Sequence, residues 1–490
     1  MHRPLLFTSL LLSLTGCYSS GTADPAPLPA PAVSLDLACA PSSLDVAWVS
    51  EDPGLHGSFH PVSLEVAPGD ALLMRGSGFG GDVVRMRDGA QIATTSSPPI
   101  DAAWARSVIV DPETREVIVR ELATGATVRT IASGADTREG WWGETIARLS
   151  DDGARALVLD CDQSGDATHA RLRGVDLASG AIDDVTLPLG CSELWPRRTE
   201  LRALAGGTAA LVIGLRPRGP AWIDDVRTPA NVIARVDLAR GGVSTVVAVS
   251  DARPPLALDL AFDVLDAAIS DDERVLAVTG RDGVLRRFDT TTLQPIGEPI
   301  EVGMAIANPV SYLPSIESAV ALSPTGAWIA HVDTEGAIVV RDAASGAIAA
   351  ELAMPFDRRE DGSGFGPPVA MALRFVDDGL IVGASSGVAR FGCGGVTAEP
   401  VRPSGDLVVR ASAPEVVRSG EPARFTIDVE GAALPVVRAV RFGDSAMGAI
   451  GRDLEVWMPG PGTTTVEIVV DDGVRTARAE ARLEVLPAAE

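Results

Sequence analysis

The feature that most limits what this chain can become is a spacing. An apolar strand closing on Ser-x-x-Gly, or an equivalent turn, and followed at once by another apolar strand recurs along the sequence. It is seen at Leu149-Ser150-Asp151-Asp152-Gly153, Ile269-Ser270-Asp271-Asp272, Leu322-Ser323-Pro324-Thr325-Gly326 and Val376-Asp377-Asp378-Gly379. Ser270 and Ser323 are 53 residues apart, as are Ser323 and Val376, and Ser150 to Ser270 is 120, two units with an insertion. A repeat of this size is one supersecondary unit that cannot bury its apolar face alone and has to stack on its neighbours.

A second mark accompanies the first: a strand, a Thr/Ser-Gly or similar turn, and another strand. Examples are Arg120-Glu121-Leu122-Ala123-Thr124-Gly125, Val175-Asp176-Leu177-Ala178-Ser179-Gly180, Val236-Asp237-Leu238-Ala239-Arg240-Gly241 and Arg341-Asp342-Ala343-Ala344-Ser345-Gly346. Gly supplies positive φ, and Asp, Ser and Thr bond back to the nearby backbone. No stretch longer than about ten residues keeps helical periodicity, so the chain reads as all-β. Two hairpins per unit make a four-stranded blade. The turn, nearly intact as Ser323-Pro324-Thr325-Gly326, resembles that of WD-repeat, TolB-type and YVTN-type propellers, and the likeness spans residues 33–400. It implies a β-propeller, with blades expected at about 62–98, 101–131, 145–190, 200–250, 258–301, 316–353 and 368–397. Seven is favoured, with six or eight as alternatives. Residues 62–98 also resemble the start of an IPT/TIG immunoglobulin-like unit, through Pro68-Gly69-Asp70 and Gly76-Ser77-Gly78-Phe79-Gly80.

The N-terminus reads as an address. His2-Arg3, an apolar run from Leu5 to Leu14 and Leu14-Thr15-Gly16-Cys17 form a signal peptide over 1–16 whose apolar run is too short for a hydrocarbon core of roughly 30 Å. The order Leu, small, Gly, Cys resembles the bacterial lipoprotein processing site. That resemblance implies acylation of Cys17 and attachment to a membrane. Tyr18 stands where an Asp would imply inner-membrane retention, so the outer membrane is expected. Residues 17–32, with Pro25, Pro27, Pro29 and Pro31, make a semi-extended tether.

Charge narrows the partners. The formal net charge is −25, and the 41 basic residues, all arginine, are scattered. Nucleic acid is a poor partner, because that affinity comes from basic groups neutralising phosphates. Residues 406–487 change texture to short strands between Gly/Pro turns, the size of an immunoglobulin-like sandwich. Phe442-Gly443-Asp444 and Val470-Asp471-Asp472-Gly473 resemble elements of PKD-like modules.

Apart from Cys17, four cysteines remain, Cys39, Cys161, Cys191 and Cys393, in a compartment that permits disulfides. Cys161 and Cys191 flank the same blade and are expected to pair. Cys39 precedes the first blade and Cys393 lies in the last, where propellers close by pairing an N-terminal strand into the final blade, so this bridge is expected too. His56, His60, His169 and His331 make no metal or catalytic pattern. His56 and His60 sit among Pro53, Gly54, Gly57 and Pro61, which exclude a helix, and His331 reads as a packed residue. The Asp pairs at 151–152, 271–272 and 377–378 read as turn residues rather than calcium ligands. No catalytic, cofactor or metal residue is assigned.

The expectation is therefore a lipid-anchored, monomeric envelope lipoprotein that binds an envelope protein or a glycan through its propeller face or channel. The alternatives are a propeller enzyme, such as a lactonase-like hydrolase or quinone-dependent dehydrogenase, and a surface adhesin.

Overall fold

The computed structural model describes residues 37–51 and 63–488, less intervening segments of which the longest are 133–143, 218–231, 250–263, 307–315, 357–369 and 395–404. Each of the seven windows expected from the repeat holds one antiparallel sheet. The first contains Ser63–Val66, Leu72–Ser77, Gly80–Arg85 and Gln91–Thr95; the second Arg106–Val110, Val117–Glu121 and Thr127–Ile131. The third contains Glu144–Leu149, Arg155–Asp162, His169–Asp176 and Ile182–Leu187; the fourth Glu200–Leu204, Ala209–Pro217, Val232–Asp237 and Gly242–Ala248. The fifth contains Val264–Ile269, Val275–Gly280, Val284–Asp289 and Ile300–Glu301; the sixth Val320–Leu322, Trp328–Val332, Ile338–Asp342 and Ile348–Leu352. The seventh takes Ala370–Val376, Gly379–Ala384 and Gly387–Cys393 from late in the chain and its edge strand, Leu44–Glu51, from the start.

Burial differs between interior and edge strands. Gly379–Ala384 is buried at every residue, as strands covered on both faces are, whereas Ile182–Leu187 alternates between exposed and covered positions. The turns that carry the repeat explain its regularity. Ser150 Oγ donates to Asp152 Oδ1 at 2.6 Å and accepts from Arg155 N at 3.0 Å; Ser270 repeats this with Asp272 at 2.6 Å and Val275 N at 3.0 Å. Both serines are buried, so each motif satisfies its own polar groups beneath the sheet. The hairpin Asp acts alike: Asp176 Oδ1 and Asp342 Oδ1 each accept the N–H and Oγ–H of the Ser three residues on, all at 2.7 Å.

Consecutive sheets pack on one another. Arg106–Val110 lies beside Glu144–Leu149, which lies beside Glu200–Leu204; Val264–Ile269 lies beside Val320–Leu322, which lies beside Ala370–Val376. Ala370–Val376 in turn meets Ser63–Val66 of the first sheet, where Trp48, Leu64, Leu73, Val84, Val376 and Ile381 share one core. Trp48 Nε1 donates to Met86 O at 2.6 Å, and its ring lies against Gly89, where φ is +71° and a Cβ would stand 2.7 Å from the indole. Cys39 and Cys393 are bonded, with Cα atoms 5.6 Å apart, beside the antiparallel pairing of Leu44 with Cys393.

Eight strands between Val408 and Leu486 form two layers over one core that includes Ala423, Phe425, Ile427, Val440, Val466, Ile468 and Leu483. This region also joins the first sheet. Gln91–Thr95 runs parallel to Ser445–Ala449 with Met447 opposite Thr94, giving one nine-stranded path. Leu72, Met74, Val83, Ile92 and Ala93 share a core with Val437, Ala439 and Val469. Arg85 pairs with the fully buried Asp471, which also accepts from Thr476 Oγ1 at 2.6 Å. The apolar face formed by Leu72, Met74, Val83, Ile92 and Ala93, packed against Val437, Ala439 and Val469, explains the attachment.

Candidate functional site

Of the residues singled out by sequence, Cys17, His56, His60 and Cys191 lie outside the described residues, as does the side chain of His169. Cys161 is buried and disulfide-bonded. The Gly-rich run is a hairpin, with Gly76 opposite Gly81 and Ser77 opposite Gly80. In each Asp pair the second carboxylate is spent locally: Asp152 and Asp272 accept from Ser hydroxyls, and Asp378 accepts from Arg390. Among the described residues no three His, Cys, Asp or Glu side chains are grouped so as to hold a metal. His331 is buried, with Nδ1 3.2 Å from Val332 O and Nε2 accepting Arg341 Nε at 2.9 Å. Burial holds its pKa down at about 4, so the ring is a neutral acceptor, as the packed-residue reading expected.

The charged residues that converge are others, and they sit on the first strands of the sheets. Glu65 belongs to the first sheet, Arg148 to the third, Glu200 and Arg202 to the fourth, and Asp266 to the fifth. Glu200 and Arg202 are paired at 2.9 Å, yet their side chains remain 31% and 44% exposed. Charged groups of other sheets nonetheless act on Arg202.

Electrostatics tie the group together. The Glu200 carboxylate raises the Arg202 pKa, with Asp266 and Glu65 contributing in the same direction. Arg148 is lowered by burial and then by Arg202, with Glu65 and Glu200 opposing. Asp266 is pushed up to about 8, first by burial and then by Glu200, although Val320 N donates to Oδ2 at 2.7 Å and Ala267 N to Oδ1 at 2.8 Å. A carboxyl poised near neutrality beside a second carboxylate and two guanidinium groups can take up or give a proton and can bind a ligand of mixed charge.

A second group lies at the turns that follow these strands. Burial raises the Asp151 pKa, helped by Glu273 and Asp271 and opposed by Arg374 of the seventh sheet. Glu273 Oε2 accepts Ala205 N at 2.7 Å and so joins the fifth sheet to the fourth.

Sequence reading missed the five first-strand residues. Their one signal is an ionisable side chain inside a short apolar strand, as in Leu64-Glu65-Val66, Ala147-Arg148-Leu149, Leu201-Arg202-Ala203 and Leu265-Asp266-Ala267. No protein-family model matches the chain, and no curated protein matches it either.

Proposed function

We propose that the seven sheets are the blades of a β-propeller and that the chain is a lipid-anchored envelope lipoprotein whose propeller is a binding module. The observation that carries this reading is the meeting of Glu65, Arg148, Glu200, Arg202 and Asp266 from four sheets. A stacked array needs no charge at its centre for stability, and burying unpaired ionisable groups there is costly. The channel of such a propeller, where these residues meet, suits a polar partner, an envelope protein or a glycan, recognised through hydrogen bonds and ion pairs. The return of Leu44–Glu51 to the seventh sheet supports ring closure, and Cys17 at the head of a Pro-rich tether supports attachment at the outer membrane.

The test uses the full chain in its native envelope, cross-linked and captured, beside an Arg148→Gln/Arg202→Gln variant. A partner or glycan that cross-links at the first-strand face and is lost from the variant supports the reading. Identical capture by both proteins overturns it. Cys17→Ala tests the anchor separately: membrane association that survives the substitution removes that part of the proposal.

Asp266 favours a second reading, a propeller enzyme using this carboxyl as a proton carrier. Substrate turnover by the purified protein that disappears in Asp266→Asn, with folding intact, would replace the binding module with a catalyst.

A further inference from the structure

Away from the first strands, a groove of about 460 Å³ opens between the fifth and sixth sheets, with Arg287, Glu298, Ile300, Glu301, Arg341 and Gly346 in its walls. Arg287 is only 5% exposed. Its NH2 makes one long bond, 3.3 Å, to the backbone oxygen of Glu298, and its Nε is buried without a partner. Three other buried arginines are neutralised directly, Arg75 by Asp82 at 2.5 Å, Arg173 by Asp160 at 2.6 Å and Arg390 by Asp378, although Nε of Arg173 and of Arg390 is also buried without a partner. Among the described residues no carboxylate lies within ion-pair distance of Arg287 or Arg341.

Both guanidinium groups are held in place. Gly297, at φ +65°, leaves the space for one, since a Cβ there would lie 2.6 Å from the Arg287 NH2. Arg341 is oriented by His331 Nε2 at 2.9 Å and by Gly346 O at 2.9 Å. Both acceptors are neutral, so Arg341 is fixed in direction while its charge stays uncompensated. Burial lowers the Arg287 pKa, opposed only by the charge of Asp342, and Asp342 Oδ1 is already occupied by Ser345. A buried cation without a counter-ion is expensive, and a groove that admits an anion relieves the cost.

We infer that this groove is an oxyanion site, which takes the carboxylate or phosphate of a ligand on Arg287 and Arg341. The exposed Glu298 and Glu301 at its edge weaken the attraction and leave a place for positive charge elsewhere on the ligand.

The test is calorimetric titration of the full mature chain with acetate and, separately, with inorganic phosphate at constant ionic strength. Saturable binding of either probe, weakened about tenfold or more in Arg287→Met, is expected, since charge-assisted bonds are lost; the tighter probe identifies the ligand class. Glu298→Gln/Glu301→Gln should tighten the same probe about threefold by removing like charge. Without added anion, Arg287→Met should unfold at the same urea concentration as the wild type or a higher one, because it removes an uncompensated charge. Absence of saturable binding by both probes, or unchanged binding in Arg287→Met or in the double Gln variant, would overturn the site. A large loss of stability in Arg287→Met that no anion concentration offsets would make Arg287 a structural residue instead.

Discussion

Replacing Cys39 and Cys393 together by Ala probes what holds the N-terminal strand in the seventh sheet. The bridge spans 354 residues, and the chain-entropy model assigns a loop of that length about 6 kcal/mol at 25 °C. Loss of the buried Cys393 sulfur adds on the order of 1 kcal/mol for the space left behind. Part of this is retained, because Leu44–Glu51 stays in register with Gly387–Cys393 and Trp48 keeps its bond to Met86. The expected result is a clear fall in the urea midpoint together with early loss of amide-exchange protection over residues 44–51, since the edge strand is the element with least to hold it. A double variant is preferable to added reductant, which would also attack the bond at Cys161. An unchanged midpoint with unchanged protection of 44–51 would refute the argument and assign the hold on this strand to pairing and packing alone.

The remaining expectations are briefer. Asp266 has a folded-state pKa raised to about 8, above its unfolded value, so its contribution to stability is complete below about pH 4 and is lost as pH rises towards 8. Asp266→Asn should flatten the decline in thermal midpoint between pH 6.5 and 8. Gly448 has no room for a side chain, since a Cβ would come 2.3 Å from the Ala93 Cβ. Gly448→Ala should therefore cost about 1–3 kcal/mol in a melting experiment, whereas Gly460→Ala, with nothing within 4 Å, should be nearly neutral. Asp471→Ala strips Arg85 of a fully buried partner; the expected loss, about 3 kcal/mol, should appear as protease sensitivity at the junction of the first sheet with the C-terminal layers.

The sequence by itself determined the hairpins, and the reason is range. Ser150 with Asp152, Ser270 with Asp272 and Asp342 with Ser345 bond across two or three residues, so each turn is written into the residues that make it. The 53-residue spacing of Ser270, Ser323 and Val376 marked the fifth to seventh sheets, and the propeller resemblance implied the bridge between Cys39 and Cys393. Tertiary structure decided the rest. Glu65, Arg148, Arg202 and Asp266 come from separate sheets, and local pattern carries no information about which side chains of different sheets will act on one another. The same holds for the junction with the C-terminal layers, where Ala93 and Gly448 meet across more than 350 residues of chain, and for Arg287. Whether a buried arginine finds a carboxylate is settled by the neighbouring sheet, because burial and charge pairing are properties of the packed interface and not of the strand that carries the residue.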